Sequence, residues 1–334
     1  MRISKQTVVT IAGASGGIGR AAVREFAHKG CRLALIARGE EGLEAARREA
    51  ESLGATAIAI PIDVADPQAV EDAARRIETE LGPIDVWVNV AFTNVFSEFW
   101  DVTPDEWRRV TDVTYLGYVW GTMAALRRMR PRNRGTIVQV GSALVYRSIP
   151  LQSAYCGAKA AIRGFTDSIR CELVHRHSKI HLTTVQMPAV NTPQFSWGRT
   201  KLPRKPQPVP PIFQPEVAAR AVWYAAHHHP RELLVGLSTV LAVNAEKFAG
   251  GLLDIYLGKT GYNSQQYDGN VSPDRPDNLY EPAKGDWGAH GDFDGRSHAH
   301  SWQLEWAING KLVFALLASA FAGGWLLLRK QTSR

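Results

Sequence analysis

Seven short apolar runs rich in β-branched residues, at 7–12, 32–37, 56–62, 84–90, 136–141, 181–187 and 232–235, alternate with amphipathic stretches. Those stretches fall near 18–29, 40–53, 67–81, 104–129, 153–176 and 215–228. Strands that stay apolar on both faces need cover on both sides of a sheet, and a helix after each strand supplies it. With right-handed crossovers, the pattern predicts an α/β fold with a doubly wound parallel sheet over about residues 1–240.

The bulk numbers agree with one large domain plus an appendage: 334 residues, 45% hydrophobic and 21% charged. Thirty-nine basic against 32 acidic residues leave +7, too small and too scattered an excess to imply a nucleic-acid partner. The basic cluster at 199–205 reads as a solvated loop. Cys31, Cys156 and Cys171 are odd in number and lack CxxC spacing, which favours a reducing compartment and a cytoplasmic catalytic domain. The run at 7–14 leads straight into a glycine motif without a small-residue cleavage site, so it reads as a strand rather than a signal peptide.

The regular pattern gives a catalytic domain over 1–258, interrupted by a proline-rich segment at 193–215 that reads as a substrate lid. An apolar stretch at 237–257 is expected to pack on the domain as a helix. Residues 259–301 read as a polar linker; within it, 261–300 hold seven acidic and three basic residues and no apolar period. The remainder, 302–334, is expected to be a hydrophobic helix. From Leu312 to Leu328 there are 17 residues without a charge, bracketed by Lys311 and by Arg329 and Lys330, with Trp302, Trp306 and Trp325 nearby. Since about 17 residues is the lower limit for spanning a bilayer, a membrane anchor is expected, with a docking or oligomerisation helix as the alternative.

Gly13-Ala14-Ser15-Gly16-Gly17-Ile18-Gly19 directly follows the first strand and opens the first helix. Glycines there permit a tight turn and close approach of a pyrophosphate to a helix N-terminus rich in N–H donors. The second strand ends at Ala37-Arg38. An acid at this point would accept from ribose hydroxyls, whereas Arg38 suits a 2′-phosphate, so NADP is favoured over NAD. Asp63 and Val64 close the third strand, where the adenine edge would lie.

Ser142 ends a strand, Tyr155 follows thirteen residues later, and Lys159 lies one helical turn beyond it. At i and i+4 the last two share a helix face. A phenol of pKa ~10 is a poor acid–base group near neutrality, and an adjacent ammonium favours its ionised form. Tyr155 could then exchange a proton with an alcohol or carbonyl while Ser142 donates to the same oxygen.

These motifs resemble the short-chain dehydrogenase/reductase family, a Rossmann-fold family, here with a C-terminal extension. The match comprises Gly13-x-x-x-Gly17-Ile18-Gly19, Asp63-Val64, Ser142, Tyr155-Cys156-Gly157-Ala158-Lys159 and Pro188-Ala189-Val190-Asn191-Thr192. The resemblance implies that Tyr155 is the acid/base and that Lys159 also binds the nicotinamide ribose. It further implies that Thr192, with the backbone near Val190, fixes the carboxamide and that Asn89, Ala91 and Pro188 border the cofactor. Three positions depart from the pattern: Ala12 for a threonine, Phe92 for a glycine, and Thr114 for the helical asparagine that supports a proton-relay water.

The resulting expectation is an NADP-dependent oxidoreductase acting on a hydrophobic carbonyl or alcohol. Phe92, Phe96, Leu144, Val145, Phe195 and Trp197 would form an apolar pocket. A homo-oligomer is also expected. The alternative is a membrane-tethered NADP-binding sensor with little turnover, suggested by Thr114. No metal site is expected, since His227-His228-His229 diverge around a helix end and His290, His298 and His300 lack a rigid frame.

Overall fold

The computed structural model describes residues 3–310, so the expected anchor at 312–328 lies outside the described residues. Seven strands form the central sheet: β1 (Val8–Ala12), β2 (Arg32–Ala37), β3 (Thr56–Pro61), β4 (Ile84–Asn89), β5 (Gly135–Ser142), β6 (Ile180–Met187) and β7 (Glu232–Leu234). They lie parallel in the order β7-β6-β5-β4-β1-β2-β3. The winding direction changes at β1 and β4, which opens a crevice past Ala12 and Asn89. This is the doubly wound α/β sheet that the alternating pattern predicts.

The principal helices are α1 (Gly17–Ala27), α2 (Glu40–Ser52), α3 (Pro67–Glu80), α4 (Pro104–Thr111), α5 (Gly117–Arg132), α6 (Ser153–His175), α7 (Pro215–His228) and α8 (Leu237–Ser264). Strand alternation divides the core between two faces. Val9, Ile11, Leu33 and Leu35 pack with Phe26, Ala46 and Val222 on one face. Val8, Ala34, Ile36 and Trp87 pack with Ile77, Ala125 and Met129 on the other. Helix starts are set locally: Asp66 accepts from the Gln68 and Ala69 amides ahead of α3, and Thr103 and Glu106 form a reciprocal capping box at α4.

Three segments differ from expectation. The helix predicted over 104–129 is split into α4 and α5 by a π-helical turn at Asp112–Leu116, within which the Thr114 hydroxyl bonds the Thr93 backbone. Such turns gather at functional sites. Helix α8 outruns 257 and packs lightly: Leu241, Phe248, Leu252 and Ile255 are exposed. The basic loop is less solvated than expected, because Arg199 and Lys201 both pair with the buried Glu106.

Residues 271–300, within the expected linker, have little regular structure, yet they are fastened along their length. Leu279, Ala289 and Phe293 are buried, and Ser297–His298 pairs with Ile212–Phe213. Much of this attachment runs through backbone groups, to which an apolar period is blind. Its central part, 278–294, is called the strap below. After it, residues 302–310 are helical, with Leu304 buried and Trp302 and Trp306 exposed. Among the described residues, no helix is long and apolar enough to cross a membrane.

Candidate active site

The C-terminal ends of the strands open into one cavity of about 380 Å³. At its β1 end the amides of Gly13 and Ala14 both donate to the Ile36 carbonyl, at 2.7 and 3.1 Å. This turn requires glycine: Gly13 has φ +106°, and a Cβ there would lie 2.6 Å from the Ala91 nitrogen. A Cβ on Gly19 would come within 1.8 Å of the Gly13 carbonyl oxygen, so α1 can approach β1 only without one. The loop thereby presents the first turn of α1, with Ser15, Gly16, Gly17, Ile18 and Gly19, to the cavity.

Arg38 also lines the cavity, but its guanidinium is engaged by the strap. Nη1 donates to the Tyr280 carbonyl and Nη2 to that of Asn278, both at 2.5 Å. Burial, followed by the neighbouring Arg109, lowers its pKa from the ordinary arginine value. Asp63 lines the same end and is paired with Arg109, while Val64 and Ala91 complete the wall. Asn89 is a correction. Its side chain points to the far face of β4, accepting from Trp87 Nε1 at 2.8 Å and donating to Gln139 at 2.9 Å, away from the cavity.

At the opposite end Ser142, Tyr155 and Lys159 converge, with Pro188, Val190 and Thr192 beside them. Ser142 finishes β5, and α6 places the other two one turn apart. Burial raises the Tyr155 phenol above its ordinary value, and a hydrogen bond with Ser142 pulls it partway back. The Phe92 ring meets Tyr155 edge-on at 5.6 Å. Lys159 is 2% exposed, and burial brings its ammonium down to about 7. The expectation that the ammonium drives the phenol towards ionisation is therefore opposed by burial, which favours the neutral form of both.

Thr114, fully buried, does not reach the cavity: its hydroxyl donates to the Thr93 carbonyl at 2.8 Å and accepts the Thr93 amide at 3.0 Å. The partner of Lys159 is instead Tyr118, which sequence reasoning missed. Lys159 Nζ donates to the Tyr118 hydroxyl at 2.9 Å and to the Val140 carbonyl at 2.7 Å, and Tyr118 itself donates to Val140 at 2.9 Å. The available signal was its position, one helical turn beyond Thr114.

Phe92, Phe96, Leu144, Phe195 and Trp197 line the cavity as expected, whereas Val145 does not. Val209 and the cis-linked Pro210-Pro211 from the proline-rich segment add to this apolar end. Also missed were Asn278, Pro282, Ala283, Gly285 and Trp287 of the strap, which wall the cavity from above the glycine loop. The spacing of Gly285, Gly288 and Gly291 was their one sequence signal: a Cβ on Gly291 would lie 2.5 Å from the Thr192 carbonyl oxygen.

Comparison with known proteins shows the family. Residues 7–201 match the short chain dehydrogenase family. An uncharacterized oxidoreductase, YxnA, of Bacillus subtilis is 31% identical over 283 residues, covering 84% of this chain and 80% of its own. A 3-dehydrosphinganine reductase of Danio rerio is 30% identical over 222 residues, 64% of this chain and 66% of its own. A fatty acyl-CoA reductase of Acinetobacter baylyi is 28% identical over 246 residues, 72% of this chain and 79% of its own. With the glycine loop, the Ser142–Tyr155–Lys159 cluster and a family match over more than half its length, the chain belongs to the short-chain dehydrogenase family of oxidoreductases.

Proposed function

We propose that the protein is an NADP-dependent reductase of apolar carbonyl compounds. The observation that carries this reading is the polarity of one cavity. Its β1 end offers a glycine cradle, helix amides and Arg38, while its other end sets Ser142, Tyr155 and Lys159 among aromatic and aliphatic side chains. The cradle fits a pyrophosphate, because glycines at 13 and 19 let the loop pack on Ala91 and on itself, which turns the N-terminal end of α1 towards the cavity. Gly13 to Gly19, Asp63, Val64 and Ala91 would hold the adenosine and pyrophosphate, with Arg38 on the 2′-phosphate and Lys159 and Thr192 towards the nicotinamide. When bound, the dinucleotide supplies or accepts the hydride.

The protein's own residues handle the proton. A phenol kept neutral by burial is the donor that reduction needs, so Tyr155 gives its proton to the carbonyl oxygen while Ser142 donates to the same atom. Lys159, fixed by Tyr118 and Val140, brings positive charge near the developing phenolate. The tight Lys159–Tyr118–Val140 cluster also favours a second reading, a slow enzyme or cofactor sensor, because it replaces the relay expected through Thr114.

Two relatives bear the names of reductases for 3-dehydrosphinganine and fatty acyl-CoA, which accords with a lipid-like substrate. Exposed Leu241, Phe248 and Leu252 on α8, together with Trp302 and Trp306 ahead of the uncharged run at 312–328, support placing the enzyme at a membrane surface. Steady-state oxidation of NADPH and of NADH by the full chain, with aldehydes and ketones of increasing chain length, tests the reading. The expected result is kcat/KM that rises with chain length and favours NADPH by about tenfold or more, the size of one charge-assisted contact. Absence of turnover with every carbonyl would leave the sensor reading in its place.

A further inference from the structure

The strap is fastened at three places in chain order, and its residues 278–287 border the cavity. Its first fastening is at the end of β2, where Asn278 and Tyr280 receive Arg38 and the Leu279 carbonyl accepts Arg109 Nε at 3.0 Å. Its second is the glycine loop. There Gly17 donates to the Gly288 carbonyl at 3.0 Å, and beside it Asp286 pairs with the buried Arg20 of α1 at 3.0 Å and the Gly285 amide donates to Glu41 of α2 at 2.6 Å. Its third lies after β6, where the Gly291 amide donates to the Asn191 carbonyl at 3.3 Å and the Phe293 amide to Asn191 Oδ1 at 3.1 Å.

A dinucleotide lying across a doubly wound sheet visits the same three places: the end of the second strand, the glycine loop, and the nicotinamide side. The strap's carbonyls take the Gly17 amide and one hydrogen from each Arg38 terminal nitrogen, and the path beside them stays open. The cavity remains between the strap and the loop, with Gly13 and Ser15 on one side and Pro282, Gly285 and Trp287 on the other. Trp287 crosses Trp197 at 5.4 Å and 76°, closing the roof between the strap and the proline-rich segment.

We propose that residues 278–294 form the second wall of the dinucleotide site, contacting the adenosine and pyrophosphate half of an NAD(P)-class cofactor and lifting to release it. The proposal rests on the dinucleotide reading above. Leu279, Ala289 and Phe293 are buried anchors, and His290 pairs with Glu216. Between Leu279 and Ala289 the stretch 280–288 is held by hydrogen bonds to its backbone, the Asp286–Arg20 ion pair and the contacts of Tyr280 with Arg199 and of Trp287 with Trp197. This is therefore the part of the wall that lifts, whereas the opposite wall is continuous with the sheet. The family match ends at residue 201, so this wall belongs to the part of the chain beyond it.

Hydrogen–deuterium exchange of the full chain, with and without saturating NADPH, tests the proposal. Slower exchange is expected in both 13–19 and 278–294. Protection of 13–19 with unchanged exchange in 278–294 would overturn the proposal and leave the dinucleotide reading intact. Failure of NADPH to bind at all, seen as no change in its fluorescence, would remove both. As a second measurement, Asp286→Asn combined with Trp287→Ala should accelerate NADPH release about tenfold in a stopped-flow chase, the combined effect of one ion pair and one aromatic contact. A release rate equal to that of the wild type would also overturn it.

Discussion

The catalytic segment at 142–159 and the strap at 278–294 border one cavity, but they are built in different ways. The first puts its chemistry on regular elements: Ser142 closes a strand and α6 holds Tyr155 and Lys159 one turn apart. The second has almost no regular structure and holds its position by carbonyls, amides and glycines laid against other loops. Periodic elements fix side-chain direction by local geometry alone, while a strap needs its partners already folded. The comparison teaches that proton chemistry and cofactor retention can be separated in this molecule, and each half can be perturbed without the other.

Tyr118 is the sharpest way to probe the first half, because it touches Lys159 and lies away from the strap. Tyr118→Phe removes an acceptor from a buried ammonium, an interaction worth roughly 1.5–3 kcal/mol, so kcat is expected to fall at least about tenfold. The same loss disfavours the charged lysine, so the alkaline limb of the kcat/KM profile should move to lower pH. NADPH release should be unchanged. A pH profile superimposable on that of the wild type would show that Tyr118 only fills space.

A smaller effect concerns stability. Burial holds Lys159 at about 7 in the folded protein against its ordinary 10.5. Between these values the unfolded chain binds a proton that the folded chain does not, so this residue makes stability rise as pH increases through that window. Denaturant midpoints measured between pH 6 and 9 should climb more steeply for the wild type than for Lys159→Met. Parallel curves would mean that Lys159 stays charged in the folded state. Strap variants should keep the wild-type slope.

The same contrast explains what was legible in the sequence. The strands were placed within a residue or two, because runs such as Leu33–Ile36 are apolar on both faces and have one physical solution. Gly13, Ser142, Tyr155 and Lys159 were legible because a turn, a strand end and a helical spacing fix them locally. Asn89 was misplaced: its position in sequence suggested the cofactor, while strand alternation turned its side chain to the opposite face beside Gln139. Thr114 is misplaced by sequence and Tyr118 escapes it, because a π-helical turn between two helices shifts the facing of every residue after it. The strap reads as a linker in sequence, since Glu281, Asp286, Asp292, Asp294 and scattered glycines look solvated until Asp286 finds Arg20 and Gly288 finds Gly17.

The central claim is that Tyr155 moves the proton in a reductase site. Single-turnover oxidation of protein-bound NADPH by a long-chain aldehyde or ketone, compared between wild type and Tyr155→Phe, tests it most directly. Loss of a general acid should slow the step by about 10²–10⁴-fold while NADPH still binds. Equal single-turnover rates in the two proteins would contradict the claim.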